Sequence, residues 1–195
     1  MKIIGITGSS GSGKSTVTNI LGQELKAKTI YADKVVEQMQ KKGMEYFNKI
    51  VELFGTEILN EIGELNRPKL AEIIFTNSKK REELNELTKQ YVVEEIKKQI
   101  QEANEEYVII DAPLLIETGL NEYCDIVIVV ISNINTQTER ICQRDNISKD
   151  KAIERINSQP NNDFYKKYAN YIVENNGGNY DEFVGRIRTS LQKLQ

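Results

Sequence analysis

Eight residues near the start of the chain, GSSGSGKS at positions 8–15, combine three glycines, a lysine and four serines. They match the pattern G-x-x-x-x-G-K-[ST] at every specified position, and they stand between the apolar run IIGI and a helical pattern, VTNILGQEL. Glycines let a backbone curl so that successive N–H groups point at phosphate oxygens, and a helix N-terminus adds partial positive charge. We therefore predict that this loop binds the phosphates of a nucleoside triphosphate.

Each polar group of the loop has a chemical use in phosphoryl transfer. Lys14 can reach the β- and γ-phosphates and is predicted to be catalytic, and the hydroxyl of Ser15 can hold Mg²⁺. The predicted nucleotide-binding residues are the loop positions and the residue that follows them, namely Gly8, Gly11, Ser12, Gly13, Lys14, Ser15 and Thr16.

Two aspartates end predicted strands, Asp33 in TIYADK and Asp111 in VIIDAPLL. Parallel α/β sheets bind their ligands at the carboxyl ends of the strands, so we predict that both aspartates contact substrate. Asp33 could accept the proton of an attacking hydroxyl or help to orient Mg²⁺, and Asp111 could hold Mg²⁺ directly or through water. The alternatives are a helix N-cap for Asp33 and a plain strand-end residue for Asp111.

A polar segment at about 136–160 contains Arg140, Arg144 and Arg155. Arg140 and Arg144 are four residues apart and therefore share a helical face. This pattern predicts a lid whose arginines close over the transferring phosphate, with Arg140 and Arg144 as catalytic residues. A charged face exposed to solvent is the alternative.

Apolar runs at 2–6, 28–32, 107–112, 125–131 and 171–175 are predicted to be the strands that position these residues. The clearest of them are continuous rather than alternating, which is typical of parallel strands covered on both faces. Because helical patterns separate them, the predicted fold class is α/β, a P-loop NTPase-type parallel sheet flanked by helices, with an inserted helical region and a lid.

The whole chain, 1–195, is predicted to be one domain, with a core at 1–33 and 107–195 and a helical insertion at 34–106. Within the insertion, 58–68 is predicted to form a turn or small hairpin. A final helix is predicted from an apolar stripe made of Tyr180, Phe183, Val184, Ile187, Leu191 and Leu194.

The composition excludes several kinds of site. The chain has no histidine, so acid–base work must fall to carboxylates, lysines or tyrosines, and its two cysteines lack metal-ligand spacing. The net charge of −3 at pH 7 argues against a nucleic-acid or membrane partner, and no apolar run approaches the length of a membrane span. We expect a cytoplasmic protein, a monomer or weak oligomer, whose partners are small molecules.

Taken together, these residues resemble the dephospho-CoA kinase family. Beyond the loop, the resemblance is carried by ADK at 32–34, FG at 54–55, the series Gly63, Leu65, Arg67 and Leu70 ending in Phe75, DAPLLIE at 111–117, Gln137 with Arg140 and Arg144, Arg155 with Gln159, and Val173, Asn175 and Gly177. It implies transfer of phosphate from ATP, with Mg²⁺, to the ribose 3′-hydroxyl of dephospho-CoA. It also implies that the inserted helical region binds the acceptor. The residue roles that it implies are Asp33 as catalytic base, Arg67 in the acceptor region, Arg140 and Arg144 as lid residues on phosphate, and Asn175 near the adenine.

The chain departs from the family pattern at three places. Ser9 and Ser10 stand in the loop where the family has a glycine and its neighbour, Tyr31 replaces the first aspartate of D-A-D, and Lys89-Gln90 replaces a His-Pro. Uridine-kinase-like enzymes also have the loop GSSGSGKS. One alternative is therefore a nucleoside or other small-molecule kinase on the same fold, against which the whole-chain pattern argues. The other is a nucleotide-binding regulator without catalysis, against which the intact Lys14, Ser15, Asp33 and Asp111 argue.

Overall fold

The computed structural model describes residues 1–192. The chain forms two compact units, Met1–Ile30 with Ala103–Gln195, and Tyr31–Glu102. No helix within residues 1–192 has the length and apolar character needed to cross a membrane. The predicted bounds, one domain at 1–195 with an insertion at 34–106 and a lid at about 136–160, stay predictions.

Five strands form a single sheet. They are β1 (Lys2–Thr7), β2 (Lys28–Tyr31), β3 (Tyr107–Asp111), β4 (Ile126–Ile131) and β5 (Tyr171–Glu174). Their order across the sheet is β2-β3-β1-β4-β5, and β1 pairs in parallel with both β3 and β4. The predicted α/β class and the five predicted strands are confirmed.

Helices make up most of the remaining chain. They are α1 (Lys14–Glu24), α2 (Ala32–Met39), α3 (Glu45–Phe54), α4 (Arg67–Thr76), α5 (Ser78–Gln101), α6 (Ile134–Asp145), α7 (Lys149–Asn157), α8 (Asn162–Lys166) and α9 (Tyr180–Gln192). Helices α2 to α5 belong to the second unit and the others to the first.

The core of the first unit joins the sheet to α1 and α9. Ile4 and Ile6 of β1 are fully buried, and all six residues of β4 are buried, as the continuous apolar runs predict. Phe183 and Ile187 of α9 belong to the same apolar cluster, which confirms that part of the predicted stripe. Leu194 lies outside the described residues.

In the second unit, a small hairpin leads into α4. Leu59 and Leu65 form an antiparallel bridge, so the predicted hairpin at 58–68 is confirmed. The side chain of Asn66 then caps α4 by accepting a hydrogen bond from the N–H of Lys69. The hairpin and this cap make Arg67 the first residue of a helix, where it is exposed.

Candidate active site

The loop at 8–13 joins β1 to α1 at the carboxyl end of the central strand. Strand β1 lies between β3 and β4, with Ile6 opposite Asp111 and Thr7 opposite Val129. The carboxyl ends of three neighbouring strands therefore meet beside the loop, which is the edge where open α/β sheets bind ligands.

Each glycine of the loop lies where a side chain would collide with a neighbouring group. A Cβ on Gly8 would strike the carbonyl oxygen of Val130, and one on Gly11 would lie 2.8 Å from the carbonyl oxygen of Gln137. Gly13 caps α1 with a left-handed φ of 87°, and its Cβ would strike the side-chain amide of Asn175. Close approach of another backbone segment thus requires glycine at positions 8 and 11, and the Asn175 side chain together with a left-handed φ requires it at position 13.

Arg140 holds the loop from α6. Its Nη1 donates to the carbonyl oxygens of Gly11 (3.1 Å), Ser12 (3.2 Å) and Asn175 (3.0 Å), and its Nη2 donates to Asn175 Oδ1 (3.0 Å). Burial lowers the pKa of the Arg140 guanidinium from its usual value. The structure therefore brings two predicted site residues, Arg140 and Asn175, against the loop backbone.

The two serines that depart from the family pattern also fasten the loop. Ser9 Oγ accepts a 2.6 Å hydrogen bond from the buried side chain of Gln137. The N–H of Ser10 donates to Gln159 Oε1 at 2.8 Å, and Arg144 Nη2 lies 3.5 Å from Ser10 Oγ. The polar segment after β4 is therefore hydrogen-bonded to the loop at both serines.

Lys14 and Asp111 form a buried ion pair at the loop. The ammonium of Lys14 binds Asp111 Oδ1, and the two side chains are 15% and 4% exposed. Thr18, one turn further along α1, donates to Asp111 Oδ2 at 2.7 Å. Sequence reasoning missed Thr18, although its i,i+4 spacing from Lys14 places both residues on one face of the helix.

Two hydroxyl groups of the loop differ in their surroundings. Ser15, in the first turn of α1, is exposed. Ser12 Oγ is buried and has no hydrogen-bond partner among the described residues. A buried hydroxyl without a partner is unusual in a folded protein, and it fits a loop built to bind a polar ligand.

The other two arginines of the predicted lid converge on Asp145. Arg144 binds this carboxylate through Nε (2.8 Å) and Nη2 (2.9 Å), and Arg155 also binds it. The hydrogen bond from Arg144 lowers the pKa of Asp145 to about 2, and the same bond raises the pKa of Arg144. The sequence analysis did not predict a role for Asp145. Its position next to Arg144 in the sequence could have indicated an ion pair.

Asp33 and Arg67 line one groove of the second unit. Asp33 lies in the first turn of α2 and is exposed. The groove has a volume of about 460 Å³, and its apolar wall includes Val36, Leu70 and Ile74. Glu37 lines the groove as well, and charged groups of both signs beside an apolar wall suit a small molecule that is polar at one end and apolar along its length.

The second unit also contains Tyr31 and Lys89-Gln90, the other two places where the chain departs from the family pattern. The ammonium of Lys34 stands 4.7 Å from the centre of the Tyr31 ring, a cation–π contact. Lys89 and Gln90 are exposed on α5. Neither departure leaves a buried polar group without a partner among the described residues.

Comparison with known proteins gives matches over most of the chain. A family model described as dephospho-CoA kinase matches residues 2–181. A dephospho-CoA kinase of Bacillus cereus is 40% identical over 178 residues, which cover 90% of this chain and 88% of that protein. One from Listeria innocua is 41% identical over 179 residues with the same two shares. The solved dephospho-CoA kinase of Campylobacter jejuni is 27% identical and superposes with a TM-score of 0.72, covering 100% of this chain and 98% of that chain.

Proposed function

The chain belongs to the dephospho-CoA kinase family, and on that premise we propose that it transfers the γ-phosphate of ATP to the ribose 3′-hydroxyl of dephospho-CoA. The family resemblance found in the sequence motifs is thereby confirmed. The observation that carries the proposal is the loop at 8–15, which begins at the end of β1, ends in α1 and has no room for a side chain at Gly8 or Gly13.

The loop and Lys14 bind the phosphates of ATP. The N–H groups of Gly11, Gly13 and Ser15 and the N-terminus of α1 supply donors and partial positive charge, and Ser12 Oγ supplies a further polar group. The ammonium of Lys14 exchanges its contact with Asp111 for the β- and γ-phosphates, where it stabilises the charge that develops during transfer. Thr16 and Asn175 complete the nucleotide-binding residues.

Mg²⁺ fits the oxygen atoms beside the loop. Among residues 1–192 there is no group of three or more acidic, histidine or cysteine side chains that could enclose a metal ion. Mg²⁺ is usually held by one or two protein groups together with substrate phosphates and water, so such an enclosure is not needed. The hydroxyl of Ser15 and the carboxylate of Asp111 would hold the ion, which supplies charge neutralisation at the phosphates when bound.

Asp33 serves as the general base for the acceptor. An exposed carboxylate can take the proton from the 3′-hydroxyl as its oxygen attacks the γ-phosphorus, and the bond from the γ-phosphorus to the bridging oxygen of ADP then breaks. Arg67 lines the same groove and gives positive charge for the diphosphate of dephospho-CoA, while the apolar wall suits the pantetheine chain.

The arginines of α6 stabilise the transferring phosphate in two ways. Arg140 is fixed on the loop backbone, so its charge contributes to the field at the phosphates without needing to move. The side chain of Arg144 is 59% exposed, and it can turn from Asp145 to a phosphate oxygen. A cytoplasmic location and a monomer or weak oligomer that binds neither nucleic acid nor membrane remain further predictions.

An acceptor panel tests the proposal. The purified protein is incubated with ATP, Mg²⁺ and, in separate reactions, dephospho-CoA, uridine, cytidine or adenosine, and ADP formation is measured. Of the four acceptors, we expect only dephospho-CoA to give ADP. Turnover of uridine without turnover of dephospho-CoA would refute the acceptor and leave a nucleoside kinase. If no acceptor is turned over while calorimetry shows that the same preparation binds ATP, a nucleotide-binding regulator would be favoured.

A further inference from the structure

The hydroxyl of the buried Thr18 donates to another element of the fold and not to its own helix. In α6, the buried Thr138 donates to the carbonyl oxygen of Ile134, four residues earlier in its own helix, at 2.7 Å. Thr88 of α5 makes the same kind of bond to Leu84 at 2.6 Å. Thr18 instead donates 2.7 Å across to Asp111 Oδ2, at the end of β3.

From this contact we propose that Thr18 is a positioning residue that orients the Asp111 carboxylate toward the metal-bound nucleotide. The proposal deepens the proposed function and rests on it for the identity of the nucleotide. Thr18 is fully buried and Asp111 is 4% exposed, so neither oxygen of the carboxylate can rely on bulk water.

The two oxygens of Asp111 have separate partners. Oδ1 binds the ammonium of Lys14, and Oδ2 accepts from Thr18. Once Lys14 binds phosphate, Oδ1 would be the oxygen available to hold Mg²⁺ or its water, because the bond to Thr18 occupies Oδ2. The terminal torsion of an aspartate has a broad energy minimum, so a hydrogen bond at one oxygen largely decides where the other one points.

Calorimetric titration of ATP in the presence and absence of Mg²⁺ tests this role without any turnover. The quantity of interest is the factor by which Mg²⁺ tightens ATP binding. We expect Thr18→Val, which keeps the shape and removes the hydroxyl, to reduce that factor by at least about tenfold, the lower end of the range for a hydrogen bond to a charged group. Thr18→Ser keeps the hydroxyl and should retain the factor.

Thr138→Val is the matched control, because it also removes a buried threonine hydroxyl but one bonded to its own helix. It should keep the wild-type factor. If Thr18→Val does not fold, Thr18→Ala adds no volume and should show the same loss. The proposal is overturned if the variants without the hydroxyl keep the full effect of Mg²⁺, or if Thr18→Ser loses as much as Thr18→Val. Because no acceptor is present, a failure to phosphorylate dephospho-CoA would not affect the result.

Discussion

Replacing Lys14 by alanine should damage both stability and catalysis, for different reasons. The ammonium of Lys14 neutralises Asp111, a carboxylate that is only 4% exposed. Removing one partner of a buried ion pair usually costs about 3–5 kcal/mol, since the other charge is left buried and uncompensated. Asp111 keeps its bond to Thr18, and Lys14 itself is 15% exposed, so we expect a loss below that range, about 2 kcal/mol.

Turnover should fall further than stability. Removing one donor that faces the developing charge of a transition state lowers the rate by about 10²–10³-fold. The two effects can be separated by adding Asp111→Asn, which removes the uncompensated charge. The double variant should therefore be more stable than Lys14→Ala alone but no more active.

Urea unfolding followed by far-ultraviolet circular dichroism, on the wild type, both single variants and the double variant, measures the stability part. A coupled assay of ADP formation on the same preparations measures the rate. Two results would refute the reasoning: a Lys14→Ala protein as stable as the wild type, or a double variant no more stable than Lys14→Ala.

Three further predictions concern the loop, the base and the lid. Gly13→Ala should weaken ATP binding at least about tenfold in calorimetry, because its side chain would collide and its φ is left-handed, whereas Gly119→Ala, at a similar φ of 77° with open space around it, should bind ATP normally. Asp33→Asn should lower kcat by about 10²–10⁴-fold and leave the calorimetric affinity for ATP unchanged, and a large loss of ATP binding would reassign the residue to the metal. The hydrogen bond from Arg144 lowers the pKa of Asp145 to about 2, so its stabilising effect is complete above about pH 4 and lost as the pH falls toward 2. The melting temperature of Asp145→Asn should accordingly lie below that of the wild type at pH 6, with the two converging near pH 2, and a gap that stays constant with pH would contradict this assignment.

Local patterns predicted the loop and the sheet because local physics determines them. The spacing of the three glycines follows from a backbone that must curl at fixed positions, and the apolar runs follow from strands buried on both faces. The position of Arg67 is also determined locally. The hairpin before it and the start of its helix both follow from neighbouring residues.

The partners of the charged side chains could not be predicted in this way. Arg140 binds a loop carbonyl 129 positions away in the sequence, and Gln159 binds the N–H of Ser10 at a separation of 149. Such contacts depend on the three-dimensional arrangement of whole strands and helices, and no short pattern encodes them. For the same reason, the sequence did not show that Arg140 would bind the loop backbone while Arg144 binds Asp145.

The position of the new phosphate tests the account most directly. Dephospho-CoA is incubated with ATP, Mg²⁺ and the protein, and the purified product is examined by phosphorus NMR with coupling to the ribose protons. We predict one added phosphomonoester, coupled to the proton on the 3′ carbon of the ribose, in amounts equal to the ADP formed. Phosphate on another oxygen, or ADP formed with unchanged dephospho-CoA, would contradict the account.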